Sequence, residues 1–295
     1  MKFLLAATYL LSALLLTAGC QQEAPEPTSP PAPSPDIWLY EISDNDVQLV
    51  TRVTDRNDYD NQPAFTADSE QLFFTSDRAG RYNAHLFDIA TATISQVTFT
   101  DADKYSPTPI PGTNDTQISM VHTDSSAFQE LWRYTVDGSA APAPITDVNA
   151  VAYFTWAGDN HVLFWRLGET NTLQLLNAVT GDTTILDVGR VESLQQIPGE
   201  AASSYIIKKG EAAAEIKRFD WATQESSTIV QALDGSRYFC WTPDGKILMI
   251  SDNQLFSFHP GEDSDWQLMA VLEINGGTRL AVSPNGKLLA VVGSR

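Results

Sequence analysis

From Asp36 onward the chain repeats one unit: an apolar anchor, a polar turn, and a second apolar run. The unit occurs at Phe65 (PAFTADSEQLFF), Ile110 (PTPIPGTNDTQISMV), Trp156 (YFTWAGDNHVLFW), Ile197 (LQQIPGEAASSYII), Trp241 (FCWTPDGKILMI) and Val282 (LAVSPNGKLLAV). The anchors are spaced 45, 46, 41, 44 and 41 residues apart. Each copy has a third run, beginning at Ile37, Leu86, Leu131, Leu173, Ile216 and Leu255. A turn then leads to a fourth: VQLVTRV, ISQVTFT, PAPIT, TTILDV, STIVQAL and WQLMAVL. No segment sustains a helical period over three turns, and Gly, Asp, Asn, Pro and Thr cluster between the runs, as they do between short strands. Four strands in a period near 43 match the blades of a β-propeller. Six copies predict an all-β, six-bladed propeller of four-stranded antiparallel blades over residues 36–295.

The order of the copies predicts how the ring closes. Third- and fourth-type strands come first, at Ile37 and Val47, and the last copy stops after its second-type strand, Leu288 to Val292. One blade is therefore expected to take two strands from each end of the domain, leaving no open sheet edge between first and last.

The clearest copy, Pro63 to Thr98, contains Ser76-Asp77-Arg78-Ala79-Gly80 and ends on Val97-Thr98. Trp241-Thr242-Pro243-Asp244-Gly245-Lys246 and Val282-Ser283-Pro284-Asn285-Gly286-Lys287 supply the other half of the pattern. Together they resemble the WD40-like (PD40) repeats of TolB-type propellers. The resemblance spans residues 36–295 and implies the fold. For function it implies a choice among interaction platforms, peptidase-associated domains and occasional lyases. In the Ser-Asp-Arg-x-Gly corner, Asp77 and Arg78 are read as residues that fix the blade turn.

Ahead of the repeats lies a different texture. Lys2 precedes an apolar run from Phe3 to Leu16, the length of a signal-peptide core and short for a membrane span. Leu16-Thr17-Ala18-Gly19-Cys20 follows and resembles a bacterial lipobox, which implies a signal peptide over 1–19 and lipidation of Cys20. Acyl chains there supply the membrane anchor. Gln21, where an Asp would favour the inner membrane of a Gram-negative cell, points to the outer membrane facing the periplasm. Residues 20–35 form the lipidated cysteine and a stalk. Six of the sixteen prolines fall in residues 21–35, a composition that stays extended and semi-rigid.

Charge narrows the partners. The chain carries 18 Lys plus Arg against 37 Asp plus Glu, a net charge of -19. Such a surface repels phosphate backbones and anionic lipid headgroups, so no nucleic-acid partner is expected and membrane contact falls to the lipid on Cys20. With two cysteines, neither a disulfide scaffold nor a Cys-based zinc site is available. Cys240, beside Trp241, reads as a small buried hydrophobe.

In a propeller, ligands meet the loops that lead into the innermost strands. Seven residues before the anchors stand Asp58, Asp103, Asn149, Arg190, Asp234 and Asn275. Two readings are open: Asx residues that initiate turns, or a ring of carboxylates and amides that binds a cation or a polar ligand. Calcium is the cofactor considered, and it needs several converging oxygens. Asp55-Arg56-Asn57-Asp58-Tyr59-Asp60-Asn61 has the acidity without an EF-hand spacing. Three residues before the anchors stand Gln62, Pro107, Tyr153, Leu194, Tyr238 and Arg279, with Tyr59, Tyr105, Arg190 and Arg237 nearby. Tyrosine offers a rigid apolar face with a polar tip and arginine a fork for carboxylates. These residues are either ordinary channel packing or a mouth suited to peptides, sugars or carboxylates. The candidate ligand-binding set is Asp58, Tyr59, Asp103, Tyr105, Tyr153, Arg190, Arg237, Tyr238 and Arg279.

Sequence motifs for catalysis are missing: there is no G-x-S-x-G, H-E-x-x-H, phosphate loop or dinucleotide fingerprint. His85, His122, His161 and His259 share no strand position. The expectation is a lipid-anchored envelope propeller that binds a protein, peptide or small polar ligand. The alternative is a propeller lyase or hydrolase with a metal at the channel mouth.

Overall fold

The structure is a computed structural model, and it describes residues 34–295 except 44, 45, 79 and 125–127. The expected signal peptide and lipidation site Cys20 lie outside the described residues, as does all of the expected stalk but Ser34 and Pro35. Every regular element described is a strand. In chain order these are β1 (Asp36–Ser43) and β2 (Asp46–Arg52); β3 (Asp60–Phe65), β4 (Gln71–Ser76), β5 (Asn83–Asp88) and β6 (Thr93–Gln96). Next come β7 (Asp103–Pro109), β8 (Gln117–Thr123), β9 (Gln129–Thr135) and β10 (Ala143–Asn149); β11 (Val151–Trp156), β12 (His161–Arg166), β13 (Thr172–Asn177) and β14 (Thr183–Val188). The last are β15 (Arg190–Gln196), β16 (Ala202–Lys208), β17 (Glu215–Asp220) and β18 (Ser226–Gln231); β19 (Phe239–Trp241), β20 (Ile247–Ser251), β21 (Gln254–Phe258) and β22 (Gln267–Val271); β23 (Leu280–Val282) and β24 (Leu288–Gly293).

They form six four-stranded antiparallel sheets, the blades of a six-bladed propeller. Five blades are consecutive in sequence. The sixth has the order β2-β1-β24-β23, with Trp38 opposite Val291 and Tyr40 opposite Leu289. The closure expected from the order of the copies is the one observed.

Burial changes with radius, and composition follows it. The second strands are sandwiched between neighbouring blades on both faces, so they are nearly continuous apolar runs: Leu72-Phe73-Phe74, Val162-Leu163-Phe164-Trp165 and Leu289-Ala290-Val291-Val292 are all buried. The fourth strands β14, β18 and β22 form the outer edges and are mostly exposed. Among the described residues the buried apolar side chains fall into six clusters, each spanning two adjacent blades. Ile37, Leu39 and Ala290 of the sixth blade meet Phe65, Leu72 and Phe74 of the first, so the ring is packed all the way round.

Two anchors show how this packing is fixed. Trp156 Nε1 donates to Ser119 Oγ on the preceding blade at 3.0 Å, and Trp241 Nε1 donates to Ser204 Oγ at 2.8 Å. The pairs repeat one device, an inner-strand indole whose single donor is satisfied by a serine on the second strand of the blade before. At the first blade's corner, Arg78 Nε donates to Ser76 Oγ at 3.0 Å, while Arg56 reaches Asp77 at 3.4 Å. Gly80 takes φ +76° and closes the turn onto the Asp77 carbonyl. Asp77 and Arg78 thus hold the corner, as their motif implied.

Candidate functional site: the channel mouth

The innermost strands β3, β7, β11, β15, β19 and β23 surround a cavity of about 270 Å³. The six residues three before the anchors, Gln62, Pro107, Tyr153, Leu194, Tyr238 and Arg279, all line it. The inner strands end on their anchors or one residue before them, which brings the position three before each anchor to the cavity wall.

The register did not reveal the backbone that shapes the wall. Pairing slips between Asn61 and Ala64, Tyr105 and Thr108, Val151 and Tyr153, and Glu192 and Leu194. Three of these irregularities hold a non-glycine residue at positive φ: Gln62 at 61°, Ser106 at 56° and Ser193 at 49°. All three line the cavity. An L-residue in this region costs about 1–2 kcal/mol, and such residues persist where surrounding contacts hold them. Gln62 Oε1 accepts from the Ser106 backbone N–H at 2.8 Å. Ser193 Oγ accepts from Phe239 N–H at 3.0 Å and donates to its carbonyl at 3.1 Å. Both ties cross between blades.

At the mouth a cation rests on phenol rings. The Arg279 guanidinium carbon is 4.4 Å from the Tyr238 ring centroid and 5.3 Å from that of Tyr153. The two phenol oxygens are 3.2 Å apart, and Arg279 Nη2 donates to the Tyr238 hydroxyl at 3.4 Å. Tyr59 packs edge-on against Tyr82 at 5.2 Å, and Tyr82 lies 4.9 Å from Tyr105. Burial pushes the Tyr153 phenol up to about 12, helped by its bond to Tyr238. Burial also raises Tyr105 to about 12, and raises Tyr59 against the opposing pull of Arg279. These phenols stay neutral at physiological pH and leave charge to the arginines.

Arg237 and Arg190 share one carboxylate. Arg237 Nε lies 3.0 and 2.9 Å from the two oxygens of Glu192, and its Nη2 is 2.5 Å from Oε1. Arg190 meets Oε1 through Nε at 3.0 Å and Nη2 at 2.8 Å. The pairing with Glu192 holds the Arg237 guanidinium more firmly charged than usual. Arg190, Glu192 and Arg237 border a second, adjoining cleft of about 500 Å³ rather than the central cavity. Glu192 and Tyr82 were not singled out by sequence. The available signal was an acidic residue between Val191 and Leu194 on an inner strand, where an unpaired charge would be costly.

The residues seven before the anchors stand at the rim and do not line the central cavity. Asp58 pairs with Arg56 at 2.7 Å. Asp103 accepts from the Tyr82 backbone N–H at 3.3 Å and lies 3.7 Å from Arg81. Asn149 accepts from Arg166 at 3.0 Å, and Asn275 bridges to Ser294 through its backbone. Among the described residues no three His, Cys, Asp or Glu come together in a way that could hold a metal ion. Phenols and guanidiniums dominate the mouth's donor set, which is a poor match to calcium's demand for oxygen ligands. Of the histidines, His85 is on β5, His122 on β8 stacked against Trp132 at 4.0 Å, and His161 on β12, while His259 follows β21. Cys240 is free and buried in the inter-blade core, and burial pushes its thiol pKa up.

No protein-family model matches the chain, and no curated protein matches it in sequence. Solved structures do match. A protein assigned as TolB from Agrobacterium tumefaciens aligns at a TM-score of 0.70 and 12% identity, over 88% of this chain and 98% of that one. The fold is shared with TolB. A gluconolactonase from Xanthomonas campestris aligns at 0.62 and 13% identity, over 82% of this chain and 88% of its own. An oligogalacturonate lyase in complex with manganese aligns at 0.59 and 14% identity, over 84% and 80%. At these identities the likeness is one of architecture, and a shared architecture hosts unrelated chemistries. The manganese of that lyase has no matching ligand cluster among the described residues here.

Proposed function

We propose that this protein is a cell-envelope lipoprotein, anchored through Cys20 and held off the outer membrane by its Pro-rich stalk. Its propeller acts as a binding platform that receives a protein, peptide or small polar ligand at the channel mouth. The observation that carries the reading is the convergence of all six inner strands on one cavity whose rim presents Arg279 over Tyr153 and Tyr238. A concave site with a few placed polar groups on rigid aromatic walls is what recognition requires. The strained residues Gln62, Ser106 and Ser193 support it, because backbone held in an unfavourable region gathers at functional surfaces. The alternative, a lyase or hydrolase with a metal at the mouth, needs converging carboxylates or imidazoles that the described residues do not bring together.

A ligand-detected NMR screen of peptides and small polar compounds, with product analysis of every hit, tests the reading. Binding lost in Tyr238→Ala and kept in Val179→Ala, a substitution at an exposed turn, is the expected result. Hits indifferent to Tyr238→Ala would remove the mouth as the site. A hit converted to product would move the protein to the enzymatic reading.

A further inference from the structure

We infer that the mouth recognises a ligand through a free carboxylate, which pairs with the guanidinium of Arg279. The inference rests on the proposed role of the mouth as a binding site and names the chemistry it selects. Arg279 stands just before β23, half-buried, with its charge over two phenol rings. A ring face attracts a cation through its quadrupole but carries no net charge to neutralise it. Among the described residues no carboxylate lies within ion-pair distance of Arg279. The contrast with its neighbours is clear: Arg237 and Arg190 are both committed to Glu192, and Arg56 to Asp58, Asp60 and Asp77. In a chain of net charge -19 carboxylates are abundant, so a half-buried guanidinium beside none of them has an anion still to gain.

Its hydrogen-bonding capacity points the same way. A guanidinium has five N–H donors, and for Arg279 the one acceptor among the described residues is the Tyr238 hydroxyl, at 3.4 Å. Four donors remain in a planar fork, the geometry that takes a carboxylate through two parallel bonds. The two ring contacts limit where that fork can go, which lowers the ordering cost on binding. Charge selects a monoanion over a polyanion. One guanidinium balances one negative charge, and the acidic body of the propeller repels further charge as a ligand approaches. The phenol walls add to this, since the group bearing the carboxylate meets Tyr153 and Tyr238, which line the cavity, and gains from an apolar or planar flank. A cavity of about 270 Å³ admits a small acid or the end of a chain, and both sources offer the same carboxylate.

Calorimetric titration of the whole protein with matched probes tests this. N-acetyl-phenylalanine and its amide represent the small acid; N-acetyl-Gly-Gly-Phe and its amide represent a peptide end. Each acid should bind about tenfold or more tighter than its amide, the equivalent of one charge-assisted pair. The preference should vanish in Arg279→Gln, return in part in Arg279→Lys, and shrink with added salt. The tighter of the two acids identifies the source. Thermal melts of the variants confirm that the ring stays folded. Equal binding of acids and amides would overturn the inference, as would a preference that survives Arg279→Gln or no acid binding at millimolar concentration. If acids and amides bind equally and Tyr238→Ala removes both, the platform stands without carboxylate selection. If hits from the broader screen ignore Tyr238→Ala as well, the mouth itself is wrong.

Discussion

His85 shows how one position in a blade ties the fold to pH. It sits on β5, 2% exposed, with its ring 5.7 Å from that of Phe74 and Nδ1 3.2 Å from the Asn83 carbonyl. Burial drives its pKa down to about 4, and the nearby Arg78 and Arg56 lower it further. The folded state therefore binds fewer protons than the unfolded chain between pH 6.5 and 4. Its stability contribution is intact at neutral pH and is lost as pH falls through that window. At pH 5 the loss is about 2 kcal/mol. Asp60 acts in the opposite sense, since burial raises its carboxyl and its protonation favours the fold in acid. Urea melts of wild type and His85→Phe at pH 7 and pH 5 separate the two, and the variant should lose markedly less stability on acidification. No part of this was legible in the sequence, where His85 is one histidine of four. Its titration depends on burial and on the approach of Arg78 and Arg56, which the local pattern does not name.

At the scale of the element, the inner strands join packing to function. Each ends on its anchor or one residue before it, and the residue three positions before the anchor lines the channel cavity. Trp241 is the clearest case: its indole is buried in the inter-blade core and its N–H is spent on Ser204 Oγ, itself fully buried. Trp241→Phe should cost about 1–2 kcal/mol, the penalty for leaving a buried polar group one partner short. Adding Ser204→Ala should recover part of the loss, because the hydroxyl left one bond short is then gone, less the bond it donates to the Gln195 carbonyl at 3.3 Å; denaturant melts of the two variants measure both. The strands themselves were legible, since a four-beat apolar rhythm survives even where motif residues have drifted. The channel wall was legible for the same reason. The bulges at Gln62, Ser106 and Ser193 were not, because these residues carry no local mark of positive φ and are held by partners from other blades. The same limit hid Glu192, whose role depends on Arg237, 45 residues away.

For the whole molecule, closure and charge set the terms. Two strands from each end of the domain complete the sixth blade, so the packing that holds Ile37 against Phe65 also holds the first blade to the last. The proposed lipid anchor at Cys20 precedes every described strand of this ring in sequence. Cys20→Ala is accordingly expected to leave the thermal melt of the propeller unchanged while moving the protein from the membrane to the soluble fraction. A variant still sedimenting with membranes would overturn the anchor. The sequence by itself determined the number of blades, the strand order and the closing pairing. Periodicity carries that information: strand alternation and a repeat near 43 residues are local, redundant properties, written six times over. Only the tertiary structure decided how the charges at the mouth pair among the described residues. Glu192 takes Arg237 and Arg190, Asp58 takes Arg56, and Arg279 is left over its tyrosines. Coulomb attraction and desolvation act on distances across the ring, between residues far apart in the chain, and no periodic pattern records those distances.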